Sequence, residues 1–210
     1  QDGYLFEISA NRAEESFKNE ILKMAESVQN AQGKYSAYAE TSTNAIQIQI
    51  GKETTLGDFT LTSNGYGLGS GWIDGIKEKV SSDEYCQPDY VPKDAVFDAS
   101  EELKRDTDYS YVYHVNTDDC KFIGVSQSVY DSFDFGNTTY EVIPVTINGN
   151  QGFASVNSRN KQNHVPEGIT EEYIVIWKQD GYLFQIFAYN ISESYKAEIL
   201  KMAESMQPVK

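Results

Sequence analysis

Cysteine is scarce in this chain, which contains only Cys86 and Cys120 among its 210 residues. The two do not form a Cys-x-x-Cys pair, so zinc-knuckle and thioredoxin-type patterns have no support. Two alternatives remain open from the sequence. The cysteines form one disulfide in an oxidising compartment, or they are two separate structural thiols.

Basic residues are also few, with 17 Lys and Arg against 32 Asp and Glu and a net charge of −15. Nucleic acid binding requires a basic face, so we expect no nucleic-acid partner. An anionic membrane surface would repel the chain. The acidic charge indicates solubility, and a cationic partner or a divalent cation is the alternative.

Histidine occurs only as His114 and His164, which lack the i, i+4 spacing of a zinc-binding pair. His114 lies within a tyrosine-rich strand pattern, where we expect it to face neighbouring side chains or solvent. No serine or cysteine stands in a pattern with a base. We therefore expect a protein that is not an enzyme, with no catalytic residues, no metal site and no cofactor.

Long apolar runs are absent as well, because no segment approaches the roughly 18 residues needed to cross a bilayer. We expect no membrane insertion by this segment.

One sequence element is present twice, at residues 1–29 and 179–207, with 20 of 29 aligned positions identical. In the second copy, Asp180-Gly181 predicts a tight hairpin turn between two strands. Ser192 or Ser194 can cap the following helix. An apolar stripe at helical spacing predicts that this helix packs through one face. The stripe consists of Tyr195, Ile199, Met202, Ala203 and Met206.

The first copy begins with a strand at Tyr4–Ile8 that has no preceding hairpin partner in this chain. We interpret residues 1–29 as the tail of a preceding repeat, and the alternative is that they complete this fold. An unpaired strand presents an open edge, so self-association through residues 4–8 is a further expectation.

Four more strands are predicted in the middle of the chain, at Tyr109–Asn116, Phe122–Val129, Tyr140–Ile147 and Phe153–Asn157. Asn148-Gly149 predicts a second hairpin turn. Strands without regular βαβ alternation indicate an α+β fold, with an antiparallel sheet and hairpins packed against amphipathic helices and the strand-helix element duplicated. We divide the chain into the element 1–29, a β-rich segment 30–88 and an α+β domain 89–207.

Tyrosine is abundant, with 15 residues. Its ring packs and its hydroxyl stays hydrated, which suits both half-buried sheet faces and recognition surfaces. The rings that we predict as candidate ligand contacts are Trp72, Tyr111, Tyr113 and Trp177.

Four segments resemble one bacterial domain family, the domain of unknown function 4367, over about residues 89–207. They are Tyr90-Val91-Pro92, residues 145–153, residues 174–184 and the terminal residues 198–205. These motifs are structural, and the family carries no catalytic residues to transfer. The resemblance implies an extracytoplasmic domain of the kind found in Gram-positive lipoproteins and membrane-anchored regulators.

We therefore expect a non-catalytic extracytoplasmic interaction or sensing module of a bacterial surface or lipoprotein-type protein, membrane-anchored in its full-length form. Its partner would be an unidentified protein or small ligand. The alternative function is a small-ligand or carbohydrate-binding protein that uses an aromatic groove.

Overall fold

The structure is a computed structural model that describes residues 45–63, 69–117, 120–136, 141–158 and 171–209. The predicted element at 1–29, with its strand at Tyr4–Ile8, lies outside the described residues, as does His164. The predicted self-association through that strand and the three-part division of the chain both stay predictions.

The described residues form fourteen strands, one α-helix and a short 3₁₀ turn at Ser82–Glu84. The strands in the first half are β1 (Ile46–Gln47), β2 (Thr54–Leu56), β3 (Phe59–Ser63), β4 (Gly69–Ile73), β5 (Cys86–Pro88), β6 (Ala95–Lys104) and β7 (Asp108–Val115). The strands in the second half are β8 (Phe122–Ser128), β9 (Ser132–Gly136), β10 (Glu141–Ile147), β11 (Asn150–Ser158), β12 (Glu171–Gln179), β13 (Tyr182–Tyr189) and β14 (Met206–Pro208). Helix α1 spans Glu193–Glu204.

Eight strands form one antiparallel sheet in the order β1-β10-β11-β12-β13-β8-β7-β6. The two predicted hairpin turns are confirmed within it. Asn148 and Gly149 connect β10 to β11 with φ of 51° and 79°, and Asp180 and Gly181 connect β12 to β13 with φ of 54° and 81°. Two successive residues of positive φ match the twist of antiparallel strands, which explains the choice of Asn or Asp followed by Gly.

One face of the large sheet, here called the helix face, packs against α1. Trp177 on β12 pairs with Phe184 on β13, and both rings lie on this face with centroids 5.2 Å apart. The helix contacts β10, β13 and β5, and it buries Tyr195, Ile199, Leu200, Met202 and Ala203. The predicted cap is confirmed at Ser192, whose Oγ accepts a hydrogen bond from the Tyr195 amide at 3.3 Å.

The opposite face is covered in its β10–β13 half by a second sheet of order β2-β3-β4-β9. The two sheets share one apolar cluster. Its members are Ile48, Leu56, Phe59, Leu61, Ile73 and Phe135 with Val142, Phe153, Ile174, Ile176 and Leu183. A small third sheet pairs β14 with β5.

The α+β prediction is wrong. Strands account for 59% of the described residues, and these residues contain a single α-helix beside the eight-stranded sheet and two smaller ones. The physical reason is that the second face of the large sheet buries its apolar side chains against β2, β3, β4 and β9 rather than against helices. The fold is therefore mostly β.

Both cysteines are buried thiols, so the disulfide alternative is not realised. Cys86 is 6% exposed and Cys120 is 0% exposed. Burial, with smaller contributions from nearby Asp180 and Glu84, raises the pKa of the Cys86 thiol to about 11.

We predict that neither thiol reacts appreciably with a disulfide reagent such as Ellman's reagent in the native protein at pH 8. The reagent needs a thiolate and access to it, and Cys86 remains protonated three pH units below a pKa of about 11. In concentrated guanidinium chloride both thiols should react quickly. A native protein that shows no thiols even after unfolding would contradict the prediction.

The hydroxyl of Tyr195 is buried. Among the described residues, it is the one buried side-chain nitrogen or oxygen atom without a hydrogen-bond partner. Desolvation raises its pKa above the ordinary tyrosine value. The aligned position in the first sequence copy is Phe17, which lacks the hydroxyl.

We predict that Tyr195→Phe raises the free energy of unfolding by about 1 kcal/mol, because it removes a buried group that loses its bonds to water on folding. The matched control is Tyr182→Phe, since the Tyr182 hydroxyl donates a hydrogen bond to Glu84 at 2.6 Å. That control should lower stability. Urea denaturation of both variants measures the difference, and equal effects of the same sign would contradict the assignment.

Candidate functional site

The face of the large sheet opposite the helix face is open in its β6–β8 half. The strand register places Val96 and Leu103 of β6 on the same face as Val112 of β7. Val96 is 67% exposed and Leu103 is 45% exposed. Apolar side chains therefore reach solvent on this half of the face.

An aromatic cluster continues the same surface onto β8 and β13. The ring centroids of Phe122 and Phe187 are 5.7 Å apart, and Phe122 stacks on Tyr189 at 5.6 Å and 24°. All three rings are partly buried. We call this surface the open patch, defined by Val96, Leu103, Val112, Phe122, Phe187 and Tyr189.

A glycine shapes the centre of the open patch. A Cβ atom at Gly124 would lie 2.2 Å from Cζ of Phe187, closer than any two unbonded carbons approach. Glycine at this position therefore lets the Phe187 ring lie directly against the β8 backbone.

A shallow groove of about 470 Å³ occupies the part of the open patch around Leu103, Val112 and Phe187. Leu103, Val112 and Phe187 contribute apolar side chains to it, and Ser100, Glu101 and Ser110 contribute polar ones. An apolar floor with a few polar groups at the rim is the usual composition of a binding site.

Three metal-ligating side chains lie together beside this groove. Asp98, Glu101 and His114 each offer one ligand atom, and the three atoms lie within 4.8 Å of one another. Nε2 of His114 is 2.9 Å from Oδ2 of Asp98. The other carboxylate oxygen of Asp98 accepts hydrogen bonds from the amide and the hydroxyl of Ser100, at 2.8 Å and 2.6 Å. These bonds, with a further contribution from His114, lower the pKa of Asp98.

The four rings predicted from the sequence as ligand contacts do not form one groove. Trp72 lies on β4 of the smaller sheet and is 40% exposed. Tyr111 and Tyr113 are neighbours on the helix face, 1% and 6% exposed, and Trp177 is fully buried against Phe184. Contact of any of these rings with a ligand stays a prediction.

Phe122, Phe187 and Tyr189 were not among the rings predicted from the sequence. The tyrosine-rich pattern predicts a strand but does not show which of its faces is buried. Alternation puts Tyr111 and Tyr113 on the helix face and the intervening Val112 on the open face. The sequence nonetheless contains one indication of this surface, which is a difference between the two copies of the repeated element. The aligned positions of Phe187 and Tyr189 in the first copy are Ser9 and Asn11.

Comparisons with known proteins bear on the family rather than on the activity. The sequence profile of the domain of unknown function DUF4367 matches residues 85–206, which is more than half of the chain. Neither the curated proteins nor the solved structures give a significant match. No helix among the described residues is both long enough and apolar enough to span a membrane. The profile match confirms the resemblance found in the sequence, and the chain belongs to the DUF4367 family of domains of unknown function.

Proposed function

We propose that this chain is a non-catalytic extracytoplasmic binding module whose contact surface is the open patch. The partner that we propose is a protein segment presenting apolar side chains next to a basic residue. The observation that carries the proposal is the difference between the two copies of the strand-helix element at the open patch.

The two copies agree at every fully buried residue of β13. Tyr182, Phe184, Ile186 and Ala188, which lie on the helix face, have the identical residues Tyr4, Phe6, Ile8 and Ala10 in the first copy. Leu183, which is buried under the smaller sheet, has Leu5. Folding of the strand therefore accounts for the residues that are shared.

The copies differ where β13 forms the open patch. Phe187 corresponds to Ser9 and Tyr189 to Asn11. Phe187 also packs against the edge of the apolar cluster, but both rings are only partly buried. Contiguous apolar surface of this kind promotes association. The presence of the rings in one copy and of small polar residues in the other supports a binding role for the patch.

The ring geometry favours a protein segment over a carbohydrate. Phe122 and Tyr189 form an offset stack with centroids 5.6 Å apart, so each ring partly covers one face of the other. A sugar ring packs on a flat, uncovered ring face, whereas aliphatic and aromatic side chains also pack well against ring edges. The carboxylates of Asp98 and Glu101 at the rim, with the net charge of −15, favour a basic group on the partner.

The hydrogen bonds around His114 support a non-catalytic role. Ser100 donates its hydroxyl hydrogen to Asp98, and Asp98 also contacts His114, so the carboxylate lies between the hydroxyl and the imidazole. A nucleophilic serine needs direct contact with its base. The extracytoplasmic location and the membrane anchoring of the full-length protein are proposed from the family resemblance.

We predict that Phe187→Ser/Tyr189→Asn, which introduces the residues of the first copy, weakens peptide binding at least tenfold. The probe is a phage-displayed library of random 12-residue peptides, selected on the wild-type protein in EDTA. We expect enrichment of peptides that combine apolar residues with Lys or Arg, and their dissociation constants can be measured by fluorescence anisotropy. A tenfold loss corresponds to about 1.4 kcal/mol.

The matched control is Trp72→Ser, which removes an exposed ring from the smaller sheet and should leave binding unchanged. Leu103→Lys is a second patch variant and should also weaken peptide binding. This exposed residue lines the groove without supporting the core. Circular dichroism establishes that each variant is folded. Failure to enrich any common motif, or binding that Trp72→Ser abolishes and the patch variants do not, would overturn the proposal.

A further inference from the structure

The edge of the large sheet contains an irregularity that nothing in the proposed binding role requires. Asp98 on β6 pairs with Val112 on β7, and the next pair is Leu103 with Ser110. Between these two pairs the chain moves five residues along β6 but only two residues along β7. The extra residues of this bulge carry Glu101 to within 4.8 Å of the ligand atoms of Asp98 and His114. Bulges commonly redirect a side chain toward a functional position.

The three side chains come from two strands and share one face. Asp98 and His114 lie on the open face, two residues apart in register, because Val96 pairs with His114 and Asp98 with Val112. His114 is 54% exposed at its side chain and Asp98 is 28% exposed. An ion can reach this position from solvent without any opening of the fold.

The Asp98 carboxylate is held in a fixed orientation. Two hydrogen bonds from Ser100 occupy one of its oxygens, and the second oxygen lies 2.9 Å from Nε2 of His114. Groups that orient a ligand from behind are a general feature of protein metal sites. An ion pair would explain the contact between Asp98 and His114. It would not explain why the carboxylate of Glu101 lies close to both of them.

The donor set indicates the type of ion. One imidazole nitrogen and two carboxylate oxygens suit zinc and similar transition metals, whose bonds to these atoms are about 2.0–2.2 Å long. Two ligand atoms at that distance from one tetrahedral ion are separated by about 3.4 Å. The 2.9 Å between Asp98 and His114 and the 4.8 Å limit of the whole cluster lie on either side of this value. Calcium prefers six to eight oxygen ligands, and this site offers too few.

We propose that Asp98, Glu101 and His114 form a binding site for one divalent transition-metal ion of the zinc type, with water completing its coordination. The bound ion links the bulge of β6 to β7. It would also compete with a basic group of the partner for the carboxylates of Asp98 and Glu101.

The experiment titrates Zn²⁺ into the full chain, freed of metal with EDTA and then desalted, and follows binding by isothermal titration calorimetry. We expect one site per chain with a dissociation constant in the micromolar range. Asp98→Asn, Glu101→Gln and His114→Gln should each weaken binding tenfold or more. The matched control is Glu102→Gln, which removes the same charge from the same bulge but lies outside the cluster, since Glu102 accepts a hydrogen bond from Tyr109 at 2.8 Å.

A second readout uses the unmodified protein, so it does not depend on the folding of a variant. The imidazole ¹⁵N resonances of the two histidines are recorded during the same titration, and Nε2 of His114 should shift with saturation at one equivalent. Millimolar Mg²⁺ and Ca²⁺ should not reproduce the shift. Zinc binding that survives His114→Gln, an unchanged His114 resonance, or equal binding of Mg²⁺ would each overturn the proposal.

Discussion

The whole structure depends on the need to cover both faces of a long antiparallel sheet. Successive side chains of β12 and β13 point to opposite faces of the sheet, and most of them are apolar on both faces. Neither face of these two strands can therefore be left in water. The helix with β5 and β14 covers one face, and the smaller sheet covers part of the other. The eight strands extend further than the second cover, which leaves the β6–β8 half of that face accessible.

Local features of this fold could be predicted from the sequence because their causes are local. Asn148-Gly149 and Asp180-Gly181 determine their turns through backbone preferences of two residues. Ser192 determines where the helix begins through its own hydroxyl. The strands β7, β8, β10 and β11 likewise lie where β-branched and aromatic residues predict them, within a few residues at each end.

The remaining features depend on contacts between residues far apart in the chain. The sequence does not state that β2, β3 and β4 form a sheet that takes the place of helices, because that outcome depends on packing against Phe153 and Ile176. Nor does the sequence state which of the two alternating sets of β7 side chains is buried. A shift of one position in the register moves every side chain of a strand to the other face. Such a shift would bury Val112 and expose Tyr111. The bulge that brings Glu101 to His114 is similarly a property of paired strands.

The position of β13 in the sheet has a consequence for the order in which the fold can assemble. It lies between β12 and β8, and it is therefore the strand that joins the meander β6-β7-β8 to the meander β10-β11-β12. Both meanders precede it in sequence, so in a chain that emerges from its N-terminal end each meander presents an unpaired edge until β13 becomes available. Pairings between distant segments slow folding and expose such edges for longer. The segment 1–29 repeats the buried residues of β13 in its sequence and emerges well before that moment. Two near-identical sequences, which differ chiefly at the positions of Phe187 and Tyr189 and in the loop before the helix, are therefore present while the edge of β8 is still open.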